Sequence, residues 1–181
     1  MKRFWKHLCS FTFIGGFMAL FGCTPCNGEN GVTIDNSTVA SFDLNRFLGK
    51  WYEVARYEHR FERGMTHVTA EYSLREDGKI KVVNKGVKDG KTKEIIGKAK
   101  QPDPTNHPGK LKVSFFLWFY SDYYIMELDE NYQYAVIGSS TDKYLWILSR
   151  TPELPYDTVI DLVNRLQQRG YDTEKLTWVQ Q

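Results

Sequence analysis

The sequence has no cysteine beyond position 26. Its three cysteines, Cys9, Cys23 and Cys26, all fall near the start, so the body of the chain holds no disulfide, no thiolate nucleophile and no cysteine-built metal site. Histidine is also scarce. His7, His59, His67 and His107 show no metal-ligand spacing, and no metal or other cofactor is expected. No Ser–His–acid set is visible, and with no thiol in the body of the chain an enzyme is not expected. There is no long hydrophobic run: the apolar stretch Leu8–Phe21 is too short and too glycine-rich to cross a bilayer comfortably. Basic charge is modest. Residues 1–22 carry three basic and no acidic side chains, so without them the net charge of +2 becomes −1. No basic stripe remains to argue for nucleic acid. Internal repeats and low-complexity segments are absent as well.

What is present is an ordinary globular composition, 41% hydrophobic and 25% charged. At 181 residues it suits one domain able to bury a sizeable core without metal or disulfide help. The start is different. Lys2, Arg3 and Lys6 precede the apolar run, which is the layout of a secretory signal over residues 1–22. Leu20-Phe21-Gly22-Cys23 resembles a bacterial lipobox. That resemblance implies cleavage before Cys23 and its lipidation, with more than one acyl chain because a single chain anchors only marginally. Cys26 would then be a free thiol in the tether. Residues 23–40 are polar and rich in Gly and Asn, and are expected to form a flexible tether ahead of a domain over residues 41–181.

That domain alternates apolar and polar residues between turn signals. Strands are expected over Trp51–His59, His67–Arg75, Lys79–Val87, Thr92–Lys100, Lys110–Phe116, Tyr123–Leu128, Tyr134–Gly138 and Tyr144–Arg150. Glu76-Asp77-Gly78 and Lys88-Asp89-Gly90 read as tight hairpins. The prolines of "QPDPTNHPG" exclude a central strand there. Over Tyr156–Arg169, Val159, Leu162, Val163 and Leu166 make one apolar helical stripe, with Gly170 just past its end. A last short strand is expected over Lys175–Val179. The fold class is all-β: an eight-stranded antiparallel up-and-down barrel with one C-terminal helix packed outside, wide enough for one small ligand.

Gly49-Lys50-Trp51-Tyr52 resembles the first lipocalin motif, and Arg150 in "LWILSRTP" matches the third. The middle motif falls at Leu128-Asp129-Glu130-Asn131-Tyr132, where Leu128 replaces the usual Thr. "RFERG" at 60–64, "KVSFF" at 112–116, "YLWILSRTP" at 144–152 and the closing "WVQQ" resemble the bacterial outer-membrane lipoprotein branch, close to apolipoprotein D. The resemblance implies a binder of fatty acids or lysophospholipids in envelope maintenance. It also implies an outer-membrane anchor, because Thr24 rather than Asp follows Cys23, and a domain facing the periplasm. In the family the motif Trp closes one end of the barrel beneath the motif Arg, so Gly49, Trp51 and Arg150 are expected to be structural.

Strand alternation from those two fixed points then assigns the lumen. Ligand contacts are expected from Tyr57, Ala70, Tyr72, Val82, Asn84, Val113, Phe115, Tyr123, Ile125 and Trp146. Alternation also turns Glu53, Ala55, Leu74 and Tyr144 inward. Phe61 and Met65, with Leu117, Trp118, Phe119 and Tyr120 on the loop joining the fifth and sixth strands, are expected to ring the mouth. That rim suits contact with membrane or a partner protomer, which leaves a homodimer open. Two other readings stand beside the lipid carrier: a barrel plugged by its own aromatic loop, serving a structural or interaction role, and a haem carrier using His59 and His67.

Overall fold

The structure, a computed structural model, describes residues 33–181. The expected signal peptide, Cys23 and Cys26 lie outside the described residues. A single turn of helix, α1 (Leu44–Phe47), is capped by the Asp43 carboxylate, which accepts from the Asn45 amide. Then come β1 (Gly49–Tyr57), β2 (Thr66–Leu74), β3 (Ile80–Lys88), β4 (Lys91–Lys100), β5 (Lys110–Phe116), β6 (Phe119–Leu128), β7 (Tyr134–Gly138) and β8 (Trp146–Ser149). Helix α2 (Tyr156–Gln168), a 3₁₀ turn at Thr173–Lys175 and β9 (Leu176–Trp178) follow. Each strand pairs antiparallel with the next, and β1 pairs with both β8 and β2, which closes the barrel.

Turn chemistry sets this meander. Asp89 and Gly90 both sit at positive φ, the pair a two-residue hairpin needs. Between β5 and β6 the turn is only Leu117-Trp118, with Leu117 at φ 51. Phe119 and Tyr120, expected in a loop, therefore belong to β6. Because β1 starts at the closed end, the β1–β2, β3–β4, β5–β6 and β7–β8 connections all lie at the other end, the mouth.

Two cores flank the sheet. Inside the lower barrel, Phe47, Trp51, Tyr72, Ile80, Val82, Leu111, Ile125 and Leu148 pack together. Outside, the α2 stripe of Leu162 and Leu166 packs on Val54, Ala55, Tyr57, Met126, Val136 and Ile147. The helix ends in a Schellman motif, in which Gly170 at φ 82 donates to Gln167 and Tyr171 donates to Leu166. Among the described residues, 33–181 supply both cores and the strands that close the barrel, and they form one compact unit.

Two differences from the sequence reading matter. A β-bulge between Glu53 and Ala55 inverts the alternation of β1. Ala55 and Tyr57, expected to face the lumen, face the helix instead, and the Tyr57 hydroxyl donates to the Asp172 carbonyl. Arg56, expected outside, is 1% exposed. The described end of the expected tether is also not free. The Asp35 amide donates to Arg169, Asn36 Nδ2 to Ser139 and the Val39 amide to Ile125, while Arg169 reaches back to the Asp35 and Ser37 carbonyls. Residues 35–39 thus run down the outside of the barrel, from beside the mouth loop that carries Ser139 toward the closed end.

Candidate functional site

The closed end is built around one stack. The Arg150 guanidinium lies 3.8 Å over the ring of fully buried Trp51, whose Nε1 donates to the Phe47 carbonyl at 2.8 Å. Arg150 also donates to the carbonyls of Lys50, Arg46, Phe47 and Tyr132. Tyr132, in the middle-motif loop, sits at φ 60 and takes the Asp43 amide on its hydroxyl. Gly49 has φ 92, and a Cβ there would meet Arg150 at only ordinary contact, 3.5 Å. Backbone conformation, not lack of room, is what asks for glycine.

Above this floor lies a cavity of about 580 Å³, within the range of small-molecule sites. Its lower wall is Ala70, Tyr72, Val82, Asn84, Val113, Phe115, Tyr123 and Leu148. The Tyr72 and Tyr123 hydroxyls share a 2.7 Å hydrogen bond, and burial holds both phenols above their usual range. Asn84 Oδ1 is buried with no partner, an acceptor left for a ligand. Phe115 leans across β4 because residue 97 is glycine: a Cβ there would come within 2.6 Å of its ring and 2.7 Å of the Ser114 carbonyl.

The upper wall carries charge. Glu53, Glu62 and Asp122 line it against one cation, Lys112, which bonds Asp122 at 2.8 Å. Behind the wall, Arg56 bonds the Glu53 carboxylate at 2.8 Å and donates to the Glu62 carbonyl. Trp146 Nε1 donates to Glu62 Oε2 at 3.2 Å. Burial pushes the Glu53 carboxyl up, helped by Glu62 and opposed by Arg56. Burial raises Glu62 too, against the Trp146 hydrogen bond. Two buried carboxyls behind one guanidinium leave an excess of negative charge that a proton relieves. Arg56 itself stays charged, because Glu53, Glu58 and Glu62 together outweigh its burial.

Most of the residues assigned to the lumen by alternation line this cavity. Tyr57 does not, for the reason given above, and Ile125 lies below it, fully buried in the lower core. Leu74, expected inward, is exposed at the end of β2. At the rim, Phe61, Phe119 and Tyr120 line the opening. The hairpin Phe116, Leu117, Trp118 and Phe119 is 67, 54, 71 and 64% exposed, so it stands out from the barrel rather than folding into it. Met65 turns away: its methyl fills the space a side chain at Gly86 would occupy. His59 stacks on Phe61 and lies tilted against Tyr144 and Trp146, outside the cavity lining, and His67 is exposed. Neither histidine reaches the lumen, so the haem reading lacks its ligands.

Glu62 and Arg56, with Lys112 and Asp122, are the charged site residues that alternation missed. A signal was present: Arg56 has Glu53 three residues before and Glu58 two after, a spacing that regular alternation cannot place on one face. Glu62 lies in "RFERG" between two expected rim residues.

Residues 42–181 match the model of a lipocalin-like domain. The chain is 46% identical over 158 residues to an outer membrane lipoprotein, Blc, of Vibrio cholerae, spanning 86% of this chain and 92% of that protein. It is 43% identical to the Blc of Escherichia coli K12, over 88% of each. Bovine apolipoprotein D is 38% identical over 76% of each. Among solved structures, insecticyanin from Manduca sexta superposes with a TM-score of 0.67 at 25% identity, over 81% of this chain and 85% of that one.

Proposed function

The chain belongs to the lipocalin family, and on that premise we propose that it is a lipid-anchored outer-membrane lipoprotein whose barrel takes up the acyl chain of a fatty acid or lysophospholipid. The role is binding rather than catalysis. One observation carries the reading: a cavity of about 580 Å³, apolar below and polar above, opens at a rim with an exposed aromatic hairpin. An alkyl chain fits among Val82, Val113, Phe115 and Leu148, with Asn84 and the tyrosine hydroxyls as fixed polar contacts. A plugged barrel is less favoured because that hairpin points outward.

The mouth faces the membrane that holds the anchor, with the domain on the periplasmic side. Three features support this. Asn36 Nδ2 donates to the carbonyl of Ser139 on a mouth loop, so the first described residues lie near that end. The β5–β6 hairpin offers Leu117, Trp118 and Phe119 to a lipid surface. Lys88, Lys91 and Lys93, on the β3–β4 hairpin at the same end, suit anionic headgroups. Lipid transport or storage in envelope maintenance is the role that follows.

The test is native mass spectrometry and lipid extraction on residues 33–181 purified from a bacterial envelope. The expected result is a stoichiometric single-chain lipid. No extracted lipid, together with no displacement of a fluorescent fatty acid, would overturn the reading.

A further inference from the structure

Charge is spread very unevenly over the outside of the barrel. Of the 24 Lys and Arg and 22 Asp and Glu in the chain, Lys2, Arg3, Lys6 and Glu29 precede residue 33, which leaves 21 of each and no net charge. Between Lys79 and Lys112, however, stand ten lysines, no arginine and only three acids, Asp89, Glu94 and Asp103. That excess of seven positive charges falls on β3, β4 and the start of β5, which are neighbours in the sheet. Lys81 lies between Ile80 and Val82, Lys98 and Lys100 flank Ala99, and Lys110 precedes Leu111. Those apolar neighbours are buried inside the barrel, so alternation turns the four lysines outward.

Lys81 directly opposes Lys98 across β3 and β4, and Lys100 directly opposes Lys112 across β4 and β5. Like charges so placed repel. Lys79, Lys85 and Lys112 have acidic partners in Asp77, Glu94 and Asp122. Among the described residues, Lys81, Lys98, Lys100 and Lys110 form no ion pair. Three of them rest on aromatic faces instead: Lys98 and Lys100 lie 5.9 and 4.6 Å over the Tyr120 ring, and Lys110 lies 5.3 Å over Tyr124. The fold thus keeps a repulsion that an outside anion would remove.

The residue type says what kind of anion. Arginine, with its rigid planar fork, is enriched in protein–protein interfaces, where lysine is depleted. Ten lysines without one arginine suit mobile, hydrated anions spread over a plane better than one fixed acidic partner. The lysines run along β3 from Lys81 near the closed end to Lys88 at the mouth, about 23 Å. Beside that mouth edge stands the β5–β6 hairpin, with Leu117, Trp118 and Phe119 exposed. A basic strip bordered by an apolar hairpin meets headgroups and acyl chains at once. We propose that the outer β3–β5 wall, centred on Lys81, Lys98, Lys100 and Lys110, docks on an anionic bilayer, so that the barrel leans onto this side rather than standing upright on its mouth. The proposal rests on the membrane-facing reading above and adds the side on which the barrel lies.

The test uses residues 33–181, which contain no cysteine, and vesicles of phosphatidylcholine alone or of equal parts phosphatidylcholine and phosphatidylglycerol. Co-sedimentation is expected with the anionic vesicles only, and should fall as salt rises from about 0.05 to about 0.5 M. Lys81→Gln, Lys98→Gln, Lys100→Gln and Lys110→Gln together should weaken it at least about tenfold, since each lysine near an anionic surface contributes severalfold. The thermal melt of that variant should not drop, because it removes like-charge contacts. A polarity-sensitive dye on Val83→Cys, on the outer face of β3, should respond to the anionic vesicles, and the same dye on Asp157→Cys of α2 should not. Undiminished binding in the four-lysine variant, or a response at Asp157→Cys without one at Val83→Cys, overturns the docking wall. If Lys88→Gln, Lys91→Gln and Lys93→Gln then abolish binding, the mouth-facing reading survives that loss. No binding to either vesicle overturns both. Capture of polyglutamate without vesicle binding reassigns the wall to an acidic protein and overturns the bilayer as its partner.

Discussion

Each end of the barrel holds an arginine, half-buried at the floor and fully buried at the mouth, and the two ends do opposite things with it. At the floor, Arg150 covers Trp51 and gives its donors to four backbone carbonyls. Those acceptors are neutral backbone groups, so the ring is locked by partners that cannot change charge. At the mouth, Arg56 faces carboxylates and leaves its Nε without a partner. Carboxyls can change charge and can exchange one cation for another. The same side chain therefore makes a rivet at one end and an adjustable charge at the other. The difference lies in whether its partners are backbone or side chain.

That contrast can be broken in several ways. The largest effect is expected at the floor: Trp51→Ala should cost about 3–5 kcal/mol of unfolding free energy by denaturant titration, while the molecules that stay folded still bind lipid. A variant that kept its stability and lost lipid binding would reverse the roles of the two ends. At the mouth, Arg56→Met strands two buried carboxyls and should cost on the order of 3 kcal/mol. Adding Glu53→Gln should restore much of that loss, whereas a double variant no better than the single would mean that Arg56 acts through packing alone.

The pH dependence sharpens the comparison further. Glu53 binds its proton more tightly folded than unfolded, so this group's contribution to stability is greatest at or below the ordinary carboxylate range near pH 4.5 and falls as pH rises above it. Thermal melts across neutral pH should show that decline, and Glu53→Gln should flatten it. A slope unchanged in the variant would assign the decline to other groups. The smallest stability effect belongs to the rim. Trp118→Ser with Phe119→Ser should move stability by no more than about 0.5 kcal/mol and slow lipid transfer from vesicles. Unchanged transfer would remove the rim from the exchange step.

Much of the architecture was legible because its signals are local. Asp89-Gly90, the prolines of 102–108 and the stripe ending at Leu166 each specify their own element. The floor was legible through motif resemblance at Trp51 and Arg150. The upper half of β1 was not, because a bulge costs one residue of register and a strict two-residue period carried up from Trp51 passes over it, although Glu53-Val54-Ala55-Arg56 sets two apolar residues side by side. Arg56 therefore looked external and Tyr57 internal. The docking of residues 35–39 escaped for another reason. A polar segment rich in short side chains resembles a tether whether or not its backbone finds partners, and here Arg169, 132 residues beyond Ser37, supplies them.

One further consequence concerns the seam between β1 and β2. They pair only over Gly49–Tyr52, and above that point β9 takes the free edge of β1 at Ala55–Tyr57. The amide of Val179 donates to Val54, that of His67 to Gln180, and Gln181 Nε2 bridges the carbonyls of Glu53 and Val68. The first strand therefore waits for residues more than a hundred positions later before its upper edge is satisfied. Such long closures fold slowly and leave an open strand edge in the meantime. During folding β1 is therefore the segment most in need of protection, and "WVQQ" at 178–181 is what relieves it.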